Sequence, residues 1–579
     1  MIFKKIFVFL PNKKKIVIIL FFFFMVITSL AEIISIASLI PFLAVITSPE
    51  RLFNFELLIP LYNYFNIDSK EELLFPVTIL FMGTAIFSGV CRTLLLHLST
   101  KLTGSITAFI SFRVYDIYLK NDYIFHISTS KEAMVDMIVN KSNTSIRTIV
   151  LAYLTAASSI TILSSIVIAL FFYNWIITLA SISFFFIIFL IIEIFTREKT
   201  KQNNKVVSEY SSLNLRLIVE SMRSIKDVII SGTTNYFLKN FYKLNTKIKL
   251  AHSSNIFISQ FPKFLIESLG MVVIAIFAYQ FAIHGRSEDI IAVLGVFVLS
   301  SQKLLPMMQK IFTSFKQIKQ NSIQANLVIN IIENHSDTNH FNLRTRFSKK
   351  NLLPFKKNIE FKNVEFSYND KEIIFGKGLN FKINKGDRVA ISGNSGSGKT
   401  TLVDIIMGLL APRSGQILID SIPLTQENKQ IWQNKISHVP QDLFISKTTV
   451  SENIAFGIPK ASIDVNKVKK ICKVAQLHEF IMTLPKNYDT IIGAGGRVLS
   501  GGQIQRVGIA RALYRDAELI ILDESTNALD YETETQVLKD LFKLPKKITI
   551  LVIAHSENSF LLCNKRFNIN RGSLSIYEN

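Results

Sequence analysis

The sequence predicts two domains of different class: an all-α membrane domain of six helices, followed by an α/β domain on a largely parallel sheet. Two observations carry this. Six apolar stretches of roughly 20 residues or more precede Phe315, and about 20 helical residues at about 1.5 Å rise cross a hydrocarbon core. From Ile359 onward, short β-type runs alternate with helical ones, the pattern of strands joined by crossover helices.

The apolar stretches run Ile16–Val45, Leu73–Leu96, Ile149–Phe172, Trp175–Phe195, Ile256–Ile283 and Ile290–Phe315. The first is too long for a signal-peptide core and lacks a clear small-residue cleavage site, so it is expected to be retained. Basic residues favour the cytoplasmic side. Lys4, Lys5, Lys13, Lys14 and Lys15 precede the first helix, and the loops at 98–147 and 197–255 are basic, whereas Tyr173-Asn174 and His284-Gly285-Arg286 are short turns. Six crossings with both ends inside satisfy every loop. Apolar spacing persists through Val206–Ile230 without Pro or Gly, so the inner loops are expected to continue the helices beyond the bilayer. The domain limits follow as 1–330 for the membrane domain, 331–356 for a polar linker, and 357–579 for the α/β domain.

Composition narrows the class. Apolar residues make up 49% of the 579-residue chain and charged residues 19%, with 23 Gly and 14 Pro, which excludes a disordered or collagen-like chain. The net charge of +22 would suit nucleic acid or anionic lipid. Because the basic residues track the inner membrane face, lipid is favoured and no nucleic-acid partner is expected. The three cysteines form no CxxC pair, so neither a disulfide framework nor a zinc site is expected.

Two motifs in the second domain carry chemistry. Gly393-Asn394-Ser395-Gly396-Ser397-Gly398-Lys399-Thr400 matches a phosphate loop between a strand and a helix. Its glycines let backbone N–H groups approach phosphates, Lys399 would reach the β- and γ-phosphates, and Thr400 would offer an oxygen to Mg²⁺. Further on, Leu519-Ile520-Ile521-Leu522 ends in Asp523 and Glu524: Asp523 would hold Mg²⁺, and Glu524 would polarise the water attacking the γ-phosphate.

Between the two lies Leu499-Ser500-Gly501-Gly502-Gln503, which resembles the signature of ABC ATPases, and further marks follow in that family's order. By resemblance, Tyr368 stacks on adenine, Thr401 belongs to the nucleotide site, Gln441 contacts Mg²⁺ and water, Asp530 is the D-loop aspartate, and His555 is the switch histidine. Six helices ahead of this domain resemble an exporter half-transporter. The resemblance implies ATP and Mg²⁺ as cofactors, and a homodimer with ATP between one copy's phosphate loop and the other's signature. It also places coupling elements near Asp122–Ser128 and Thr233–Asn240.

Arg92, Lys263 and Lys303 fall inside apolar stretches, where charge is costly and marks function by default. They would line a cationic belt, or else snorkel to the inner headgroups, with Lys263 paired to Glu267 one turn along. Phe261-Pro262-Lys263-Phe264-Leu265-Ile266-Glu267, Lys303-Leu304-Leu305-Pro306 and Gly493-Ala494-Gly495-Gly496 resemble the lipid-linked oligosaccharide flippases of bacterial protein N-glycosylation, which have arginines at the three cationic positions. That likeness implies a polyprenyl-pyrophosphate cargo, an inner-membrane location, and an external amphipathic helix over Phe53–Tyr64. Ala494 departs from the carboxylate usual in such exporters. A peptide or other amphipathic cargo is the alternative.

Overall fold

The computed structural model describes residues 2–47, 74–173, 175–283, 287–335, 353–368, 373–493, 496, 498–524, 531–544, 548–553, 560 and 562–578. The segments 53–64 and 494–495, and residues Asp530 and His555, lie outside them. Two compact units result. The first comprises Met1–Asn121 and Phe125–Phe341, and the second Asp122–Ile124 and Asn342–Asn579.

The first unit is helical. A short α1 (Ile2–Phe9) precedes α2 (Asn12–Ala37); Pro11 between them fits a helix N-terminus but not an interior. The single helix expected over Ile16–Val45 is two pieces, because α3 (Leu39–Thr47) starts afresh after Ser38. Pro41 is the physical reason: it has no N–H to give and its ring crowds the carbonyl one turn back. Then come α4 (Leu74–Lys120), α5 (Tyr123–Ser128) and α6 (Lys131–Val135). A ten-residue π-helical segment, Asp136–Ser145, leads into α7 (Ile146–Tyr173). The remainder is α8 (Trp175–Arg223), α9 (Ile225–Ile230), α10 (Thr234–Ile283) and α11 (Ser287–Asn334).

With 47, 49, 50 and 48 residues, α4, α8, α10 and α11 are more than twice the length a bilayer requires. The inner loops therefore do continue the helices. Among the described residues, Asn12–Ala37, Leu74–Lys120 and Lys131–Ile168 are long and apolar enough to cross a membrane. Three polar contacts set α2 antiparallel to α4: Ser38 Oγ with Thr84 Oγ1 at 2.8 Å, Glu32 Oε1 with Arg92 Nη1 at 3.3 Å, and Lys14 Nζ donating to the Ser105 carbonyl at 2.9 Å.

The second unit holds two larger sheets. In the first, β2 (Ile373–Asn384), β1 (Asn358–Ser367), β4 (Ser414–Ile419) and β5 (Ile422–Pro423) pair antiparallel in that order. In the second the order is β12-β11-β3-β10-β9-β6. Here β6 (Ile436–Val439), β9 (Leu519–Asp523), β10 (Thr549–Ile553), β3 (Arg388–Gly393) and β11 (Lys565–Asn570) run parallel, while β12 (Ser573–Glu578) returns antiparallel. A small pair joins β7 (Thr448–Thr449) to β8 (Ile491–Ile492). The α/β expectation holds, and the antiparallel sheet that receives Ile417-Leu418-Ile419 is an addition to it.

The first strand is pinned at its start. Asp420, at the β4–β5 turn, accepts backbone N–H bonds from Lys356, Lys357 and Asn358 at 2.5, 2.7 and 2.8 Å. Burial pushes its carboxyl up, but these bonds outweigh burial and hold it below the usual carboxylate range. A depressed native pKa stabilises above the unfolded value near 4, and that stability is lost as pH falls through the native one. Asp420→Ala should therefore cost about 1 kcal/mol at pH 7, the bonds being partly exposed and screened by solvent. In denaturant titrations the difference between the two proteins should shrink as pH falls below the unfolded value near 4.

Candidate functional site

In a parallel sheet, ligands meet the carboxyl ends of the strands. Ile553 pairs with Ile391 on one side and Asp523 on the other, and Val439 pairs with Leu522. The phosphate loop after β3, the acids ending β9, and Gln441 two residues past β6 consequently share one edge of the sheet. His555 follows β10 in sequence.

The loop is shaped by glycines. Gly396 and Gly398 sit at φ +76 and +102, in the left-handed region, and a Cβ at Gly398 would come within 2.9 Å of Ile374 and 3.0 Å of Phe375. A Cβ at Gly393 would lie 2.4 Å from the Ile569 carbonyl. Gly398 caps α12 (Lys399–Ile406), so the loop's N–H groups converge on the positive end of a helix. Lys399 Nζ curls over the loop and donates to the Gly393 and Asn394 carbonyls at 2.8 and 3.2 Å. Among the described residues, Ser397 Oγ is buried without a hydrogen-bond partner, as expected of a cradle built for a ligand's oxygens. Beside it, Tyr368 OH lies 3.2 Å from Thr401 Oγ1, and its ring, half exposed, meets Phe366 edge-on. That exposed face is free to stack.

At the acidic end, Gln441 Nε2 donates to Glu524 Oε2 at 2.9 Å. Glu524 has φ +48, an uncommon backbone state for a residue with a side chain. Asp523 Oδ2 lies 3.9 Å from His438 Nε2. Thr400, Gln441 and Asp523, the residues expected to hold Mg²⁺, each carry an oxygen donor of the hard type that ion takes. The signature segment opens α17 (Gly501–Tyr514) with a capping box: Gln503 N donates to Ser500 Oγ at 3.3 Å, and Gln503 Oε1 accepts from Ser500 N at 3.0 Å. Gly501 and Gly502 begin this helix without bulk at its N-terminus.

The phosphate loop and the signature belong to different layers. Leu402, Val403, Ile405 and Ile406 of α12 pack in one core with Leu519, Ile521, Leu551 and Ile553, whereas Val507, Ile509 and Ala510 of α17 pack in another with Ile520, Leu522, Ile550 and Val552. Successive strand residues face opposite sides, so the two helices cover opposite faces of the sheet.

The membrane-domain cations are less assembled. Arg92 pairs with Glu32, a residue that sequence reasoning left without a role. Lys263 Nζ lies 3.9 Å from Glu267 Oε1, which is the local pairing of the two readings. Lys303 lies in α11, and its side chain falls outside the described residues. Sequence reasoning missed Lys316 and left Glu193, near the end of an apolar stretch, without a role. Lys316, 1% exposed, meets Glu193 Oε2 and Thr196 Oγ1, each at 2.7 Å, and Lys319 also pairs with Glu193. A lysine within the apolar spacing of α11 was the available signal.

Residues 376–527 match the family model for ABC transporters. The match lies within the second unit. A putative ABC transporter ATP-binding protein, MG015, of Mycoplasma genitalium is 31% identical over 333 residues, 57% of this chain and 52% of the relative. The chain thus spans about half the length of that relative. An ATP-dependent lipid A-core flippase of Wigglesworthia glossinidia brevipalpis is 27% identical over 412 residues, 71% of this chain and 69% of the relative. A bacterial Atm1-family ABC exporter with ATP bound has the same fold, with a TM-score of 0.76 at 21% identity, covering 97% of this chain and 94% of that one. The fold class expected from the sequence, a helical domain ahead of an α/β domain, is therefore the observed one.

One carboxylate in this ABC domain was also missed. Asp404, buried within the otherwise apolar end of α12, is pushed up to about 6 by burial and by Asp523, against the pull of His438. A raised native pKa means that ionisation at neutral pH costs stability, and that this cost disappears below the unfolded value near 4. Asp404→Asn should accordingly stabilise the ABC domain by about 2 to 3 kcal/mol at pH 7, with the advantage fading between pH 6 and 4. Thermal unfolding at those pH values checks the sign.

Proposed function

We propose that the protein is one half of a homodimeric ATP-driven exporter of the bacterial inner membrane, with its ABC domain in the cytoplasm. We further propose that its cargo is a lipid-linked oligosaccharide on polyprenyl pyrophosphate, moved from the inner to the outer leaflet. The observation carrying the motor reading is the 2.9 Å bond between Gln441 and Glu524, at the sheet edge that also bears the phosphate loop. Glu524 would take the proton of the attacking water while Gln441 holds its carboxylate in line. Lys399 and the loop N–H groups would orient the β- and γ-phosphates, and Tyr368 would seat adenine. Mg²⁺ held by Thr400, Gln441 and Asp523 would neutralise phosphate charge. Asp530 and His555 are assigned to the same site by their place in sequence.

The dimer rests on the two layers. Since α12 and α17 cover opposite faces, the Ser500 end of a second copy supplies the opposite wall of each nucleotide site, and a two-fold axis makes two such sites. Closure on ATP and reopening after hydrolysis would rock the membrane helices. Asp122–Ile124 support such coupling: they belong to the second unit, within which Lys429 Nζ donates to Asp122 Oδ1 at 2.8 Å. The second element expected at Thr233–Asn240 falls on the start of α10, and the short α9 just before it is the better candidate, with Ile229 and Ile230 exposed.

The cargo reading rests on Arg92, Lys263 and Lys303, and on lipid A-core flippases among the relatives. Two cations are Lys, which bind phosphate as point charges, without the arginine fork. In proteoliposomes, ATPase activity should rise several-fold with a polyprenyl-pyrophosphate glycan and not with peptide or DNA, and Glu524→Gln should lower turnover by about a hundredfold or more. Stimulation by a peptide alone would reject the lipid cargo in favour of the alternative.

A further inference from the structure

Unlike charges meet inside the membrane span at Glu32. Glu32 is 1% exposed and takes Arg92 Nη1 at 3.3 Å, while the Arg92 side chain is 39% exposed. Lys310 of α11 lies within electrostatic reach of both. Packing agrees with this placement: Ile36, one turn outward of Glu32, shares an apolar cluster with Leu304 and Met307, about one turn outward of Lys310. Arg92 lies four residues before the inner end of the apolar stretch Leu73–Leu96, about 6 Å along α4 at about 1.5 Å per residue, so the group sits in the cytoplasmic half of the expected span. Counted by themselves, these three described residues sum to one positive charge in each copy. A surplus charge within the span is costly.

We propose that Glu32, Arg92 and Lys310 form an anion-exchange site, in which Glu32 is the resident anion and the phosphate of a lipid headgroup is the incoming one. This rests on the reading of the cargo as an anionic lipid, and adds the device that lets the cargo leave. Arginine has five donors in a fixed fork. Nη1 approaches Glu32, and with the side chain 39% exposed the fork can also take phosphate oxygens. Lys310 supplies the excess charge that favours an anion. Glu32, anchored in the packing of α2, cannot follow the cargo; it weakens the local field and reclaims Arg92 when the headgroup departs. Removing its charge would therefore tighten binding, the opposite of what a merely structural partner would do.

The test uses full-length protein in phosphatidylcholine nanodiscs, with undecaprenyl diphosphate, dioleoyl phosphatidic acid and uncharged undecaprenol as probes and inorganic pyrophosphate as competitor, bound lipid being read by native mass spectrometry. Lys310→Gln should weaken undecaprenyl diphosphate binding about tenfold, and Glu32→Gln should tighten it about threefold, the scale of one partly screened charge. Undecaprenol should bind the same to all variants, and pyrophosphate alone should not displace the lipid. Where Glu32→Gln lowers the melting temperature, Glu32→Gln with Arg92→Gln decides, because it keeps the excess charge on Lys310 but loses the fork and should bind at least about tenfold more weakly. Unchanged or weaker binding by a well-folded Glu32→Gln, or wild-type binding by the double variant, overturns the proposal, as does displacement by pyrophosphate. If phosphatidic acid alone binds, with the same ranking of variants, the exchange site stands and the polyprenyl cargo falls. If no charged lipid is preferred over undecaprenol, both fall.

Discussion

Along β9 and β10, Leu519, Ile521, Leu551 and Ile553 enter one core while Ile520, Leu522, Ile550 and Val552 enter the other. Parallel strands buried on both faces sustain such runs of Ile, Leu and Val. Every strand end at one edge then serves one ligand, while the helices that follow are dealt to opposite faces. The phosphate loop's helix lies on one side and the signature's on the other, so one copy contains the parts of a site without their closing on each other. The proposed second copy, with nucleotide between the copies, is the arrangement that would bring such parts together.

The first unit obeys a different constraint. In hydrocarbon, a charge survives when another charge or a polar group meets it. Arg92 is met by Glu32, Lys263 by Glu267, and Lys316 by Glu193 and Thr196. Such pairs contribute little net stability, but removing one partner is expensive. They fix which helices lie side by side: α2 with α4, and α8 with α11. The positive charge left over near Glu32 is the part of this arrangement that a headgroup can use.

Much of this was legible in the sequence because it depends on local pattern. Apolar length gave the helices, and fixed spacing gave Gly393 to Thr400, Asp523 with Glu524, and Ser500 to Gln503. What depended on tertiary contact was not legible. The break at Ser38 required weighing Pro41 against an unbroken apolar run. Glu32 read as uninformative because its partner lies far along the chain. Asp404 looked like an ordinary helix residue until burial raised its pKa, and the antiparallel sheet around Ile417 has no periodic signature distinguishing it from the parallel one. The assignments at Asp530, His555 and the side chain of Lys303 rest on sequence alone.

Joining of two copies by nucleotide is tested most directly by distance. Met482 is an exposed position of the ABC domain, and the native cysteines Cys91, Cys472 and Cys563 are all buried. In Glu524→Gln carrying Met482→Cys, spin labels on two copies in nanodiscs should give a broad distance distribution without nucleotide. ATP with Mg²⁺ should collapse it to one short population, which Lys399→Ala abolishes. A distribution indifferent to ATP would contradict the composite site and the transport cycle built on it.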